Sequence, residues 1–290
     1  LMAVLIRPFW RAAAVILVSF LAVLGWWLTL SPSNDRDWQP DVARLPTATI
    51  DGSRLTVRNV RNFAYPGGGD FTELWEARTY DLDDLVGLDI YISFWGPTLY
   101  GQTIASWEFA DGRHLAVSIE TRKEQGEEYS AARGFFRQFE LYYVVAEESD
   151  AVALCTNQRG ERVELYRTLA MPAEDRALLL DYVREMNALA EAPRWYNALT
   201  HNCTTTIWNH AKAVGSDFPL DWRLLANGYL ADLSYELGTV NTSIGLDELK
   251  RRSDITARAR EAGAGKDFSL SIRHGLPSRP STVENRSQTR

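Results

Sequence analysis

Between Ala12 and Leu30, "AAAVILVSFLAVLGWWLTL" runs for about 19 residues without a charge, which as a helix nearly spans a hydrocarbon core. After this predicted transmembrane helix (12–30) the pattern shortens. "SPSNDRDWQPDVARLP" places prolines at 32, 40 and 46 among charges with little periodicity, and reads as a stiff linker over 31–47. From Ala48 onward "TATIDGSRLTVRNVRNF" alternates around Asp51 and Gly52, a hairpin signal, and "YPGGGD" reads as a loop. Ile90 to Phe94 is a short strand. The clearest hairpin follows: Ile104, Ser106 and Glu108 alternate with Ala105, Trp107 and Phe109 up to the turn "ADGR", and His114 to Glu120 returns. Further strands lie in "FRQFELYYVVA" and "RVELYRTL". Then the period changes to that of a helix, with Leu179, Val183, Met186 and Leu189 in step between Pro172 and Pro193. A second helix starts at Cys203, turns Ile207, Ala211 and Val214 inward, and stops at Gly215. Asp221 to Ala262 reads as more helix, and residues 278–290 as a polar, disordered tail. Strands first and helices later predict an α+β domain over 48–277 with an antiparallel sheet.

Charge orients the apolar helix. Arg7 and Arg11 precede it and no lysine or arginine follows until Arg36, so residues 1–11 are expected in the cytoplasm and the remainder outside, with Trp26 and Trp27 at the outer interface. A cleaved signal peptide is the rival reading; the length of the run and the want of a small-x-small site in "WWLTLSPSN" favour an uncleaved anchor. Because the first residue is Leu1, earlier sequence, including other membrane helices, can precede it. Composition adds two limits. With 46% hydrophobic and 24% charged residues the chain is expected to fold. A net charge of −7 and no evident basic patch set nucleic acid aside as a partner.

Chemistry concentrates in "RWYNALTHNCTTTIWNH". A thiol at a helix N-terminus faces unpaired backbone N–H groups and the positive end of the dipole, which favour thiolate and would hold an oxyanion. Asn202 or Thr200 can cap that helix, and Thr204 to Thr206 bring hydroxyls to its first turn. Cys203 is therefore a candidate nucleophile. It could equally be a packed core residue, or half of a disulfide with Cys155, the other cysteine of the chain. A nucleophile needs a base. His210 lies roughly 10 Å along the helix and is too far; His201 is close but sits in a turn; His114, opening the returning strand, could be carried to the helix terminus from across the fold. No zinc-ligand spacing, nucleotide loop or organic-cofactor motif is present, so neither metal nor cofactor is expected.

The stretches "RNVRNFAYPGGGDFTELWEARTYDL", "HLAVSIETRKEQGEEYS", "GFFRQFELYYVVAEESD" and "WYNALTHNCTT" resemble, in this order, a bacterial envelope family named for the periplasmic N-terminal domain of the lipoprotein N-acyltransferase Lnb. The likeness runs from about Val57 to Pro277. It implies a circularly permuted papain-like fold of the NlpC type, in which a histidine strand precedes the cysteine helix. It implies Cys203 as nucleophile with His114 or His201 as base, Asn202 at the cap, and Glu120 orienting an imidazole. It further implies Gln102, Thr103, Arg122, Thr204 and Thr205 as residues lining or bracing a substrate site. The implied partners are phospholipid and lipoprotein at the inner membrane, and the implied reaction is acyl transfer from the one to the other. Two departures stand out. Relatives often carry a histidine just before the threonine of the first hairpin strand, where this chain has Gln102, and arginines near the places of Ser149 and Cys155. Glutamine cannot accept and return a proton. Cysteine hydrolysis of cell-wall peptides or esters, and a catalytically degenerate binding or scaffold domain, are the alternatives.

Overall fold

A computed structural model of the chain describes residues 2–279 except 68, 69, 97, 131, 264 and 266. Two compact units are present, residues 1–33 and 34–290. The first is helix α1, Met2–Thr29, whose Phe9–Thr29 portion is apolar and long enough to cross a membrane. Its described side chains lie almost wholly on the exterior, as expected of a helix solvated by lipid rather than by a core.

In the second unit, strands β1 (Thr47–Asp51), β2 (Arg54–Arg61), β5 (Trp75–Asp81), β6 (Leu85–Phe94), β7 (Gln102–Phe109), β8 (His114–Arg122), β9 (Glu140–Ala146) and β10 (Arg162–Arg167) form one sheet. Its order is β1-β2-β9-β8-β7-β6-β10, with β5 paired to β2. Neighbours are antiparallel except β2 and β9, which meet in parallel at Arg61 and Ala146. The β1–β2 turn holds Gly52 at φ +60°, a left-handed conformation that glycine adopts without steric cost. Of "YPGGGD", expected as loop, Tyr65, Pro66, Gly67 and Asp70 belong instead to two short antiparallel strands, β3 (Ala64–Gly67) and β4 (Asp70–Thr72), while Gly68 and Gly69 lie outside the described residues. The strand expected at Ile90 starts earlier, at Leu85.

Strand alternation gives the sheet two dressed faces. On one, Ala105, Trp107, Phe109, Leu115, Val117, Ile119, Tyr143 and Val145 pack under helix α3 (Pro172–Glu191). Helix α4 (Cys203–Ala213) lies on the same side, its Ile207 against this core. On the other, Tyr91, Ile104, Ala116, Tyr142 and Val144 pack against α2 (Glu148–Ala153), the π-turn Leu154–Gln158 that follows it, α7 (Thr256–Ala262) and α8 (Phe268–Ile272). Helices α5 (Leu230–Glu236) and α6 (Leu246–Ser253) cover the β6–β10 edge with Leu233 and Leu249.

The segment expected as a free linker is part of the domain from Asn34 onward. Trp38 is buried, its indole N–H donates to the Asn34 carbonyl at 2.9 Å, and its ring lies under the Arg122 guanidinium at 4.2 Å. Arg122 also donates to the carbonyls of Val42 (3.0 Å) and Ala43 (2.8 Å). A tryptophan and a valine at the right spacing gave this stretch apolar surface to bury, which outweighed its prolines. At the other terminus Arg279, expected in the disordered tail, donates to Asp89 and to the Leu88 carbonyl; residues 280–290 lie outside those described.

Candidate active site

Helix α4 begins as its sequence predicts. The Asn202 side chain accepts from the Thr204 and Thr205 N–H groups at 2.9 and 2.8 Å, and the Thr205 hydroxyl accepts from the Asn202 N–H at 3.1 Å. This reciprocal cap fixes Cys203 as the first helical residue. The thiol lies 3.7 Å from the Asn227 amide nitrogen, 3.7 Å from the Thr204 hydroxyl and 4.0 Å from the Gly101 carbonyl. Around it Asn227 organises everything. Its carbonyl accepts from the Gly101 N–H at 2.8 Å, and its NH2 donates to the Gly101 carbonyl, to Thr204 Oγ1 (2.9 Å) and to Thr103 Oγ1 (3.2 Å). Thr103 and Thr204 share a hydrogen bond of 3.0 Å. All these side chains are buried.

The environment is neutral, and that decides the state of the thiol. Burial pushes the Cys203 pKa above its ordinary value. Hydrogen bonds from the Thr103 N–H and from Thr204 pull against burial without reversing it, and the negative charge of Glu120 adds to the rise. The thiolate expected from the helix terminus is thus disfavoured at neutral pH.

Among the described residues, no histidine is hydrogen-bonded to Cys203. His114 opens β8 opposite Glu108, whereas Cys203 sits at the Gln102 end of β7, so about 17–20 Å of strand separates them. There His114 is buried, donates from Nδ1 to the Gly112 carbonyl at 3.1 Å, and is pushed by burial toward the neutral form. His201 bonds the Thr200 hydroxyl at 2.8 Å, and its pKa is lowered by partial burial and by Arg194. His210 is enclosed beneath α3: its Nδ1–H donates to Asp181 at 2.7 Å, Nε2 accepts from Tyr143 at 2.6 Å, and Tyr182 stacks at 4.0 Å. That relay ends on a buried phenol, which suits a satisfied core histidine.

Strand parity separates the remaining candidates. Thr103 faces α4, but Gln102, Glu120 and Arg122 project from the opposite face of the sheet. Gln102 donates there to Ser118 Oγ at 2.6 Å and to the Ile119 carbonyl at 3.2 Å. Arg122 braces the N-terminal segment, as described above. The expected site thus resolves into two groups. Asn202, Cys203, Thr204, Thr205 and Thr103 come together; His114, His201, Gln102, Glu120 and Arg122 do not join them. Asn227 was missed. A lone asparagine in a loop 24 positions downstream carries no local signal, although its type, with one acceptor and two donors, suits the role.

Both cysteines are free, so the disulfide reading is corrected. Cys155 packs on the other sheet face, where burial and the nearby Glu161 push its pKa up to about 12. The two thiols are held apart by the sheet itself.

Asp89, Glu108 and His114 place one ligand atom each within 4.8 Å of one another. As a metal site the cluster is already occupied by cations. Asp89 bonds Arg273 at 2.7 Å and also Arg279, Glu108 bonds Arg167 and Arg279, and Glu148 beside them takes Arg273 at 2.6 Å. A dication brought here would have to displace or repel these guanidinium groups.

Fold and site together define a class: an α+β domain behind an apolar membrane-length helix, built around a cysteine at a capped helix terminus. The family model of the Lnb N-terminal periplasmic domain matches residues 71–228, more than half of the chain, and the chain belongs to that family. No curated protein and no solved structure matches it. The match stops one residue beyond Asn227. With Arg7 and Arg11 in the N-terminal part of α1 and no basic residue in its last turn, the family assigns the chain to the inner membrane, which α1 crosses once, with the C-terminal domain in the periplasm.

Proposed function

We propose that this protein is a membrane-anchored periplasmic binding or scaffold domain. It keeps the cysteine helix of an Lnb-type acyltransferase, on a fold of permuted papain-like ancestry, but works without a cysteine–histidine dyad. Its ligand class, by family, is lipoprotein or phospholipid. One observation carries this reading: the thiol of Cys203 is enclosed by Asn227, Thr103, Thr204 and Gly101, and among the described residues no imidazole is hydrogen-bonded to it. Without a base the thiol stays protonated, and a protonated thiol is a poor nucleophile toward an ester.

The second reading, cysteine acyl transfer, is favoured by the position of Cys203 as the first residue of α4 and by the hydrogen bonds that Thr103 and Thr204 make to its sulfur. In that scheme Sγ attacks a phospholipid ester carbonyl, and the lyso-lipid alkoxide leaves with the thiol proton. An amine then takes the acyl group from the thioester; water in its place gives the hydrolase. The experiment is to incubate the full chain in phospholipid vesicles with a diacylated lipopeptide, quench in acid, and weigh the intact protein and the peptide. The expected result is an unmodified Cys203 and an unchanged peptide. Acyl-Cys203, or an N-acylated peptide whose formation is lost in Cys203→Ser, overturns the non-catalytic reading.

A further inference from the structure

The loops that flank β6 and β7 differ sharply between the two ends of the central sheet. At the end holding the β5–β6 and β7–β8 turns, the chain reads "DLDD" and "ADGR", with Asp83, Asp111 and Arg113 exposed. At the other end, that of Cys203, the loop between β6 and β7 reads "WGPTLYG" and carries no charge. Trp95, Leu99 and Tyr100 are exposed on it. Beside it lies the loop before α5, with Leu220 77% and Trp222 61% exposed and Tyr229 also in solvent. Its Asp221 and Arg223 neutralise each other at 2.9 Å.

These loops form one rigid surface. The Gly228 N–H donates to the Leu99 carbonyl at 3.1 Å, and Asn227 binds both backbone groups of Gly101. A side chain at Gly228 would meet the Thr98 carbonyl oxygen at 1.7 Å, so the approach requires glycine. Apolar side chains held out on a braced frame, rather than folded back, mark an interaction surface. Trp and Tyr are the residues enriched where a protein meets lipid headgroups.

The chain itself says what covers this surface. The domain begins at Asn34, whose side chain donates to the carbonyls of Leu189 and Ala190 and accepts from Arg122, the last residue of β8. Arg122 pairs with Glu140, the first residue of β9, at the same sheet end as Gln102 and Phe94. So the polypeptide leaves for the membrane from the aromatic end. The five Cα–Cα steps from Thr29, the end of α1, to Asn34 reach at most about 18 Å fully extended.

We propose that the loops at the Cys203 end dock on the periplasmic surface of the bilayer that α1 spans, with Trp95, Leu99, Tyr100, Leu220, Trp222 and Tyr229 entering the headgroup region. This docking stands whether or not Cys203 is catalytic. Because the chain carries a net charge of −7, the attraction is apolar and does not require anionic lipid.

The test uses the full chain in phosphatidylcholine vesicles containing lipid brominated near the top of its acyl chains, which quenches tryptophan at that depth. Wild type is compared with Trp95→Phe/Trp222→Phe at several protein-to-lipid ratios. Trp26 and Trp27 of α1 and buried Trp107 are common to both. The expected result is a quenched component in wild type that shrinks in the double variant by the share of two tryptophans, equally at every ratio. A Leu220→Cys variant carrying a polarity-sensitive dye should shift its emission to the blue to the same extent at all ratios. Equal quenching of wild type and variant, or a water-like dye, overturns the proposal. A blue shift that grows with protein density also overturns it, in favour of contact between copies of the chain.

Discussion

The two ends of the β7–β8 hairpin bury polar side chains to similar depth by different physics. Around Cys203 the groups are neutral: an amide, two hydroxyls, a thiol and backbone, held together by Asn227. Around His114 they are ions: Arg273 spans Glu148 and Asp89, and Arg279 reaches Asp89 and Glu108. Burial alone would raise the Glu148 pKa, yet the Arg273 guanidinium, with the Ser106 hydroxyl, holds it well below the carboxylate range. A chemistry-bearing histidine within the hairpin and a chemistry-bearing cysteine on α4 thus lie at its opposite ends without meeting. Each is absorbed by its own network, the first ionic and structural, the second neutral and beside the exposed aromatic loops.

The sharpest way to break this contrast is to remove one partner at each end. Arg273→Met should destabilise the domain by about 3–5 kcal/mol in chemical denaturation, because Glu148 and Asp89 would be left charged in the interior. Asn227→Ala should cost about 1–3 kcal/mol, the penalty of unsatisfied neutral groups at Gly101, Thr103 and Thr204. If the asparagine change costs as much as the arginine change, the two ends do not differ in kind.

The ionic end also holds a carboxyl that is not kept as an anion. Burial raises the Asp175 pKa to about 7, and Oδ2 has no hydrogen-bond partner among the described residues. The folded state therefore binds a proton that the unfolded state, titrating near 3.9, has already released. Stability should accordingly fall as pH rises from about 4 to 7, with the cost fully present above 7. Asp175→Asn should be more stable than wild type by about 1–3 kcal/mol at pH 8, and the advantage should vanish near pH 4. Denaturation midpoints at the two pH values check this; an advantage that grows on acidification would contradict it.

The smallest effect is expected at position 102. Gln102→His supplies the imidazole that relatives often carry, but on the sheet face opposite Cys203. The alkylation rate of Cys203 at neutral pH should change less than about twofold, within the scatter of a surface substitution. A large acceleration would mean that the strand presents position 102 to the thiol, and would revive the dyad.

Much of the frame could be read from neighbouring residues. The period of Leu179, Val183, Met186 and Leu189 gave α3, the alternation from Ile104 to Phe109 gave β7, and Asn202 before Cys203 gave the start of α4. What misled was distance. His114 looked available to Cys203 because a returning strand can lead anywhere, and the register Glu108 opposite His114 was needed to show that it leads away. The alternation itself already placed Gln102 in step with Ile104 and Ser106 rather than with Ala105 and Trp107. The stretch holding Trp38 reads as a linker because prolines and charges fill it, yet Arg122 from β8 gives the Trp38 ring a partner.

By itself the sequence determined the membrane helix, the order of strands before helices, and a cysteine at a capped helix terminus. These follow from hydrophobic period and from hydrogen bonds spanning three or four residues. Only the tertiary structure decided which polar residues meet: Asn227 at Cys203, Arg273 at Glu148, and no histidine at the thiol. Strand register and sheet face set those meetings, and both depend on side chains more than a hundred positions apart closing around one core.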